Sequence, residues 1–222
     1  MRASRLKARA MKQSMGIDPG AVTLSWLPEG GVSQRAYQIV MKCGAKTIYD
    51  SGAVSSNKTV HTPDVAIPPR TRVEWFVTLW DEKDCAGETT SDFFETGIAQ
   101  DEWRAKWINP ELTPPPHYQS AVGDTPLNVA SYLVKRYVMP AHDRARLYIT
   151  AHGCYDVWLN GSHVDGYFLA PGVNQYDKHL QVQTYDVAAL LHERGKRNGR
   201  IPGRRRLARQ YGLGDGSQLL RP

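Results

Sequence analysis

The chain has 222 residues, 41% hydrophobic and 23% charged, which suits one large or two small globular domains. No run approaches the roughly 18 apolar residues a membrane span needs, and the basic opening MRASRLKARAMKQSM lacks the apolar core of a secretory signal. The net charge of +6 is unevenly placed: residues 192–222 carry nine Arg or Lys against Glu193 and Asp215, so residues 1–191 sum to −1. A near-neutral body predicts no nucleic-acid partner, and the missing signal and span predict a cytoplasmic location with no membrane partner.

The first fifteen residues read as a solvated lead-in, with a transit-type leader as the alternative. Residues 20–97 then read as a small β-sandwich of short strands bounded by Gly, Pro, Asn or Asp. Val22–Leu27 ends at Pro28 and the Gly30-Gly31 turn. Ala36–Lys42 alternates, with Tyr37, Ile39 and Met41 on one face and Gln38 and Lys42 on the other. Lys46–Tyr49 leads into the turn Asp50-Ser51-Gly52, and Lys58–Thr62 stops at Pro63. Arg72–Trp80 is the strongest strand, because Val73, Trp75, Val77 and Leu79 repeat at period two. Ser91–Glu95 closes the set.

Ile98–Gly123 reads as a connector, with Trp103 and Trp107 followed by Pro110 and Pro114-Pro115-Pro116. Proline stiffens such a segment into extended conformations. Ser131–Val138 is a further alternating strand. Ala145–Thr150 and Tyr155–Leu159 come next, closed by His152-Gly153 and Asn160-Gly161 respectively. Asn-Gly is the strongest short hairpin signal, since both residues tolerate the positive φ of a type I′ turn. No helix longer than two turns is predicted.

Beyond Asn160-Gly161 come Ala170-Pro171-Gly172, Tyr176-Asp177-Lys178 and Gln183-Thr184-Tyr185-Asp186-Val187, leading to Leu190-Leu191. This succession resembles the amino-terminal jelly-roll domain of bacterial α-L-rhamnosidases, glycoside hydrolase family 78. GIDPG, LSW, AYQIVM, YDSGAVSS, PPRTRVEWFVTLWD and FFETG, in that order, resemble the same family's leading fibronectin type III-like domain. The resemblance covers about residues 15–191 and implies an all-β chain. Its expected parts are a fibronectin type III-like β-sandwich over 1–97, a Pro-rich connector over 98–126 and a truncated, galactose-binding-like jelly roll over 127–191. The register of the family is lost after Leu190-Leu191, so residues 192–222 are expected to be a disordered tail arising from a frameshift.

The resemblance implies the non-catalytic N-terminal part of an α-L-rhamnosidase-like glycoside hydrolase, whose full form hydrolyses terminal α-L-rhamnosyl groups with inversion. The alternative is a free-standing carbohydrate-binding module. Glycoside hydrolysis needs two flanking carboxylates, and in the family these sit in an (α/α)6 barrel that follows the β domains. No catalytic residue carries over, and the chain alone is expected to be inactive. Asp50, Asp81, Asp84, Asp165 and Asp177 fall at turns, and Glu95 and Asp186 at strand ends, where carboxylates serve local backbone donors. Cys43, Cys85 and Cys154 form no C-x-x-C and have no histidine at zinc-ligand spacing, so neither metal nor cofactor is expected. They read as buried or half-buried free thiols.

The expected partner is a rhamnose-containing glycan; oligomeric state is not legible. Sugar sites stack an aromatic ring on the apolar C–H face of a pyranose and set polar groups on its hydroxyls. On Tyr155–Leu159, Asp156 and Trp158 point away from Tyr155, Val157 and Leu159. Trp158, with Tyr167, Tyr176 and Asp177 in the following loops, is the candidate sugar-binding set. The competing reading, packing against the connector or a neighbouring domain, is the commoner use of large aromatics.

Overall fold

A computed structural model describes residues 1–11, 14–108, 132–137, 142–164, 166, 169–172, 174–191, 208–211 and 217–218. The chain divides into two compact units, Met1–Trp103 and Arg104–Pro222, each built from β-strands.

Among the described residues, the first unit has nine strands: β1 Arg2–Ala8, β2 Ser14–Ile17, β3 Leu24–Glu29, β4 Gln34–Cys43, β5 Lys46–Asp50, β6 Val54–Ser55, β7 Val60–His61, β8 Arg72–Asp81 and β9 Thr90–Thr96. One sheet has the order β1-β3-β7; the other runs β2-β9-β8-β4-β5, with β6 also paired to β4. The alternation read from the sequence sets the core: Tyr37, Ile39 and Met41 from β4, and Val73, Trp75, Val77 and Leu79 from β8, are buried together with Trp26 and Phe94. This is an immunoglobulin-like or fibronectin-like sandwich.

The opening residues are not a solvated lead-in. Arg2–Ala8 pairs with β3, and Ala3, Leu6 and Ala8 are buried in the core. A bulge at Arg5, where φ is +46°, shifts the register between Ser4 and Lys7. The buried positions are therefore spaced three and then two apart, and period two is lost from view. Gly16 and Ile17 of the GIDPG motif likewise lie in β2, which pairs parallel with β9.

The second unit begins its strands with β10 Tyr132–Leu133, shorter than the expected Ser131–Val138 because only these two residues find a strand partner among the described residues. It continues with β11 Arg146–Ala151, β12 Cys154–Leu159, β13 Ser162–His163, β14 Gln183–Asp186, β15 Ala208–Tyr211 and β16 Ser217–Gln218. They form two sheets, β10-β15-β12-β13 and β14-β11-β16. Ile149 and Ala151 of β11 pack against Tyr155 and Val157 of β12. The His152-Gly153 turn is thus a corner that carries the chain from one sheet to the other.

Within the basic tail, β15 lies between β10 and β12, and β16 pairs with β11. The rest of 192–222, and with it the expectation of disorder there, lies outside the described residues.

Candidate functional site

Asn160 and Gly161 take φ of +52° and +87°, the pair of positive values a type I′ turn requires. A two-residue loop leaves one register open: Leu159 faces Ser162, and Trp158 faces His163. On the inner side of β12, Tyr155, Val157 and Leu159 are buried. The outer side therefore presents Asp156 and Trp158 from a strand anchored by its own core face.

Trp158 is 39% exposed. Its indole Nε1–H donates to Oδ2 of Asp156 at 3.0 Å. The other oxygen of Asp156, Oδ1, is hydrogen-bonded to Nε2 of His163. The imidazole lies edge-on to the indole, ring centroids 5.1 Å apart and planes at 74°. Three side chains on two strands thus make one hydrogen-bonded cluster. Each carboxylate oxygen has two lone pairs, so Asp156 keeps acceptor capacity after both contacts.

Tyr176 belongs to a different group. Its ring stacks on His152 with centroids 5.4 Å apart and planes at 13°, and His152 in turn packs against Trp107 at 4.3 Å. Asp177, beside it, is exposed. Tyr167 lies outside the described residues. Of the four sugar-site candidates, the described three thus fall into two groups, Trp158 with Asp156 and His163, and Tyr176 with its neighbour Asp177. The sequence reading missed His163 and His152. The Asn-Gly turn held the signal for the first, because a two-residue loop places the residue two beyond it opposite Trp158.

Two of the carboxylates named at turns, Asp50 and Asp81, do turn chemistry; Asp84 pairs with Arg35, and Asp165 lies outside the described residues. Asp50 accepts from Gln38 Nε2 at 2.7 Å and from the Gly52 amide at 2.9 Å, and both bonds lower its pKa. Asp81 accepts the amides of Cys85 and Lys83, which likewise lower its pKa. Groups so held stay ionised and make poor general acids. Glu95 sits near the end of its strand, at the penultimate position of β9, and is buried. Among the described residues, no group of three His, Cys, Asp or Glu side chains is placed to hold a metal ion. Cys43 and Cys85 are exposed rather than buried, whereas Cys154 is half-buried and burial raises its thiol pKa.

Two family models match the chain. Residues 3–100 match the Rha78A-like, N-terminal immunoglobulin domain, and residues 141–200 match the α-L-rhamnosidase N-terminal domain. Among curated proteins, an α-L-rhamnosidase of Formosa agariphila is 33% identical over 201 residues, 83% of this chain and 21% of that protein. One from Alteromonas sp. (strain LOR) is 28% identical over 207 residues, 84% of this chain and 22% of its own. The chain therefore spans about a fifth of the length of these relatives. Among solved structures, the α-L-rhamnosidase from Dictyoglumus thermophilum aligns with a TM-score of 0.68 at 24% identity, over 86% of this chain and 24% of its own. That from Aspergillus terreus aligns with a TM-score of 0.68 at 21% identity, over 86% and 22%. At these identities the structural likeness establishes the fold.

Proposed function

Because residues 3–100 and 141–200 are N-terminal domains of the α-L-rhamnosidase family, we propose that this chain serves as the non-catalytic front portion of an α-L-rhamnosidase-like glycoside hydrolase. The observation that carries the reading is the ordered match of both domains within one run of 201 residues to a single relative. In that role the two β units brace a catalytic barrel, which supplies the acid and base carboxylates for inverting hydrolysis of terminal α-L-rhamnosyl groups. The turn-bound carboxylates described above supply neither.

The test is an assay of the purified 222-residue chain on an aryl α-L-rhamnoside. No turnover is expected. Turnover that follows the protein through purification, and disappears with a point change in it, overturns the proposal. Fusing residues 1–191 ahead of a family barrel is expected to raise that barrel's melting temperature; no change would leave the bracing role without support.

A second reading, a carbohydrate-binding module, is favoured by Trp158 alone: a large aromatic, 39% exposed, set beside a carboxylate on a rigid strand. The two readings are compatible, since a glycan contact on the second unit would also serve a rhamnosidase.

A further inference from the structure

We propose that residues 52–66 form a strap that crosses between the two sheets of the first unit, and that protonation of His61 releases it in mild acid. The strap carries β6, paired to β4 on one sheet, and β7, paired to β3 on the other. Both of its ends are fixed. Ser51 donates its amide to the Ile39 carbonyl at 3.0 Å and accepts the Ile39 amide on its hydroxyl at 2.8 Å. At the far end Ile67, buried in the core, exchanges both backbone bonds with Gly20, at 2.9 and 3.0 Å.

Between those anchors the strap buries little. Pro63 is its one buried residue, and Val54 and Val65 pack only partly against the core. Its hold is therefore mainly polar. The Gln34 amide reaches the Ser56 and Lys58 carbonyls, the Trp26 amide reaches the Thr59 carbonyl, and β6 and β7 pair over two residues each. A segment with few apolar contacts opens at a lower free energy than the strands beneath it.

His61 is the side chain that ties this strap to the opposite sheet. It stands in β7, yet its two ring nitrogens meet Tyr37 Oη of β4 and Tyr49 Oη of β5. A neutral imidazole has one N–H donor and one bare acceptor nitrogen, so one tyrosine accepts while the other donates. An imidazolium donates from both nitrogens. The tyrosine that was donating must then turn its hydrogen away, and a charge is left where burial already lowers the His61 pKa. Burial also raises the pKa of both tyrosines, which keeps them neutral partners. Asp64, beyond β7, is the charge that favours the imidazolium, and Asp50 acts on Tyr49. From β3 the register partner of His61 is Leu24, which carries no charge.

The sign follows from linkage. In the open strap His61 titrates near its ordinary value of about 6.5, above its value in the closed strap. The open form therefore takes up the proton first as pH falls, and closure weakens. Release bares the edge of β3 next to Trp26, an edge able to pair with another strand.

The experiment is amide hydrogen exchange on the full 222-residue chain, with rates corrected for the intrinsic effect of pH. Protected amides of residues 52–66 are compared with those of β4 and β8. From about pH 7.5 to about pH 5, strap protection is expected to fall severalfold, by no more than tenfold per pH unit because one proton is involved. The β4 and β8 amides are expected to stay better protected throughout. His61→Gln keeps a donor and an acceptor without titrating, and should give a flat strap profile. Asp64→Asn changes an exposed side chain outside the clasp and removes the charge that favours the imidazolium, so it should move release to lower pH.

Strap and core amides losing protection together at every pH would assign the titration to unfolding of the whole unit and overturn the strap. A flat profile in the unmodified chain, or a pH dependence that persists in His61→Gln, overturns the role of His61. An Asp64→Asn profile that stays in place or moves to higher pH contradicts the electrostatic account.

Discussion

Trp26 donates its indole N–H to Oε1 of Gln34 at 3.0 Å, with both side chains buried in the core of the first unit. The Gln34 amide passes the connection on, donating to the carbonyls of Ser56 at 3.0 Å and Lys58 at 2.9 Å. Trp75 is its counterexample: fully buried, with an indole N–H that meets no acceptor. Trp26→Phe removes volume and also strands a buried acceptor, whereas Trp75→Phe removes volume together with an unsatisfied donor. Stranding a buried acceptor costs about 1–3 kcal/mol, so Trp26→Phe should be the more damaging by roughly that amount. Urea unfolding of the two variants measures the difference; equal losses would refute it.

His61 is hydrogen-bonded at both ring nitrogens, to Tyr37 Oη at 3.0 Å and Tyr49 Oη at 2.7 Å. Burial lowers its pKa, with the Asp64 charge opposing. The unfolded chain, whose histidine titrates near the ordinary value of about 6.5, therefore takes up the proton first as pH falls. Stability of the first unit should hold above that value, decline as pH drops through it toward the lower folded value, and level off beneath. Denaturant midpoints across this range check the slope, and His61→Gln should flatten it.

The Asn160-Gly161 turn is tested by two replacements. At Gly161 no atom lies within 4 Å of an added Cβ, so Gly161→Ala feels only the φ of +87° and should cost about 1 kcal/mol. Asn160 also donates from Nδ2 to the Leu190 carbonyl at 2.6 Å. Asn160→Ala loses that bond as well as a residue tolerant of positive φ, and should cost about 1–2 kcal/mol. Thermal melting monitored on the second unit ranks the two; a harmless Asn160→Ala would discount the Leu190 contact.

The three thiols should separate by rate. Cys43 and Cys85 are exposed, and Cys154 is half-buried with a raised pKa. Because the thiolate is the reactive species, Ellman's reagent should label two thiols quickly and the third slowly. Three equal rates would contradict the placement of Cys154.

Much of this molecule was legible in its residues. The alternation of β4 and β8 and the Asn-Gly turn each announced a strand pairing that the structure contains, because period two and positive φ are local properties. β1 was hidden by the bulge at Arg5, a local break in alternation whose compensation by pairing with β3 is non-local. The corner at His152-Gly153 was illegible for a related reason: turn residues report that the chain bends, not whether the next strand joins the same sheet. Trp158 and Asp156 could be put on one face from the sequence, yet the bond between them, and the part His163 plays, depend on rotamers that only packing selects.

The pairing of β2 with β9 has a mechanical meaning. These strands run parallel, Ser14 opposite Phe94 and Ile17 opposite Thr96, with the Gly97 amide bonded to the Ile17 carbonyl at 2.7 Å. Tension applied between residues 14 and 97 pulls neighbouring parallel strands in opposite directions along their length. Every bond of the pair is then loaded at once in shear, whereas an antiparallel hairpin pulled at its open end would peel one bond at a time. A pair closed in this way resists being drawn apart between those two residues, because its bonds share the load along the strands.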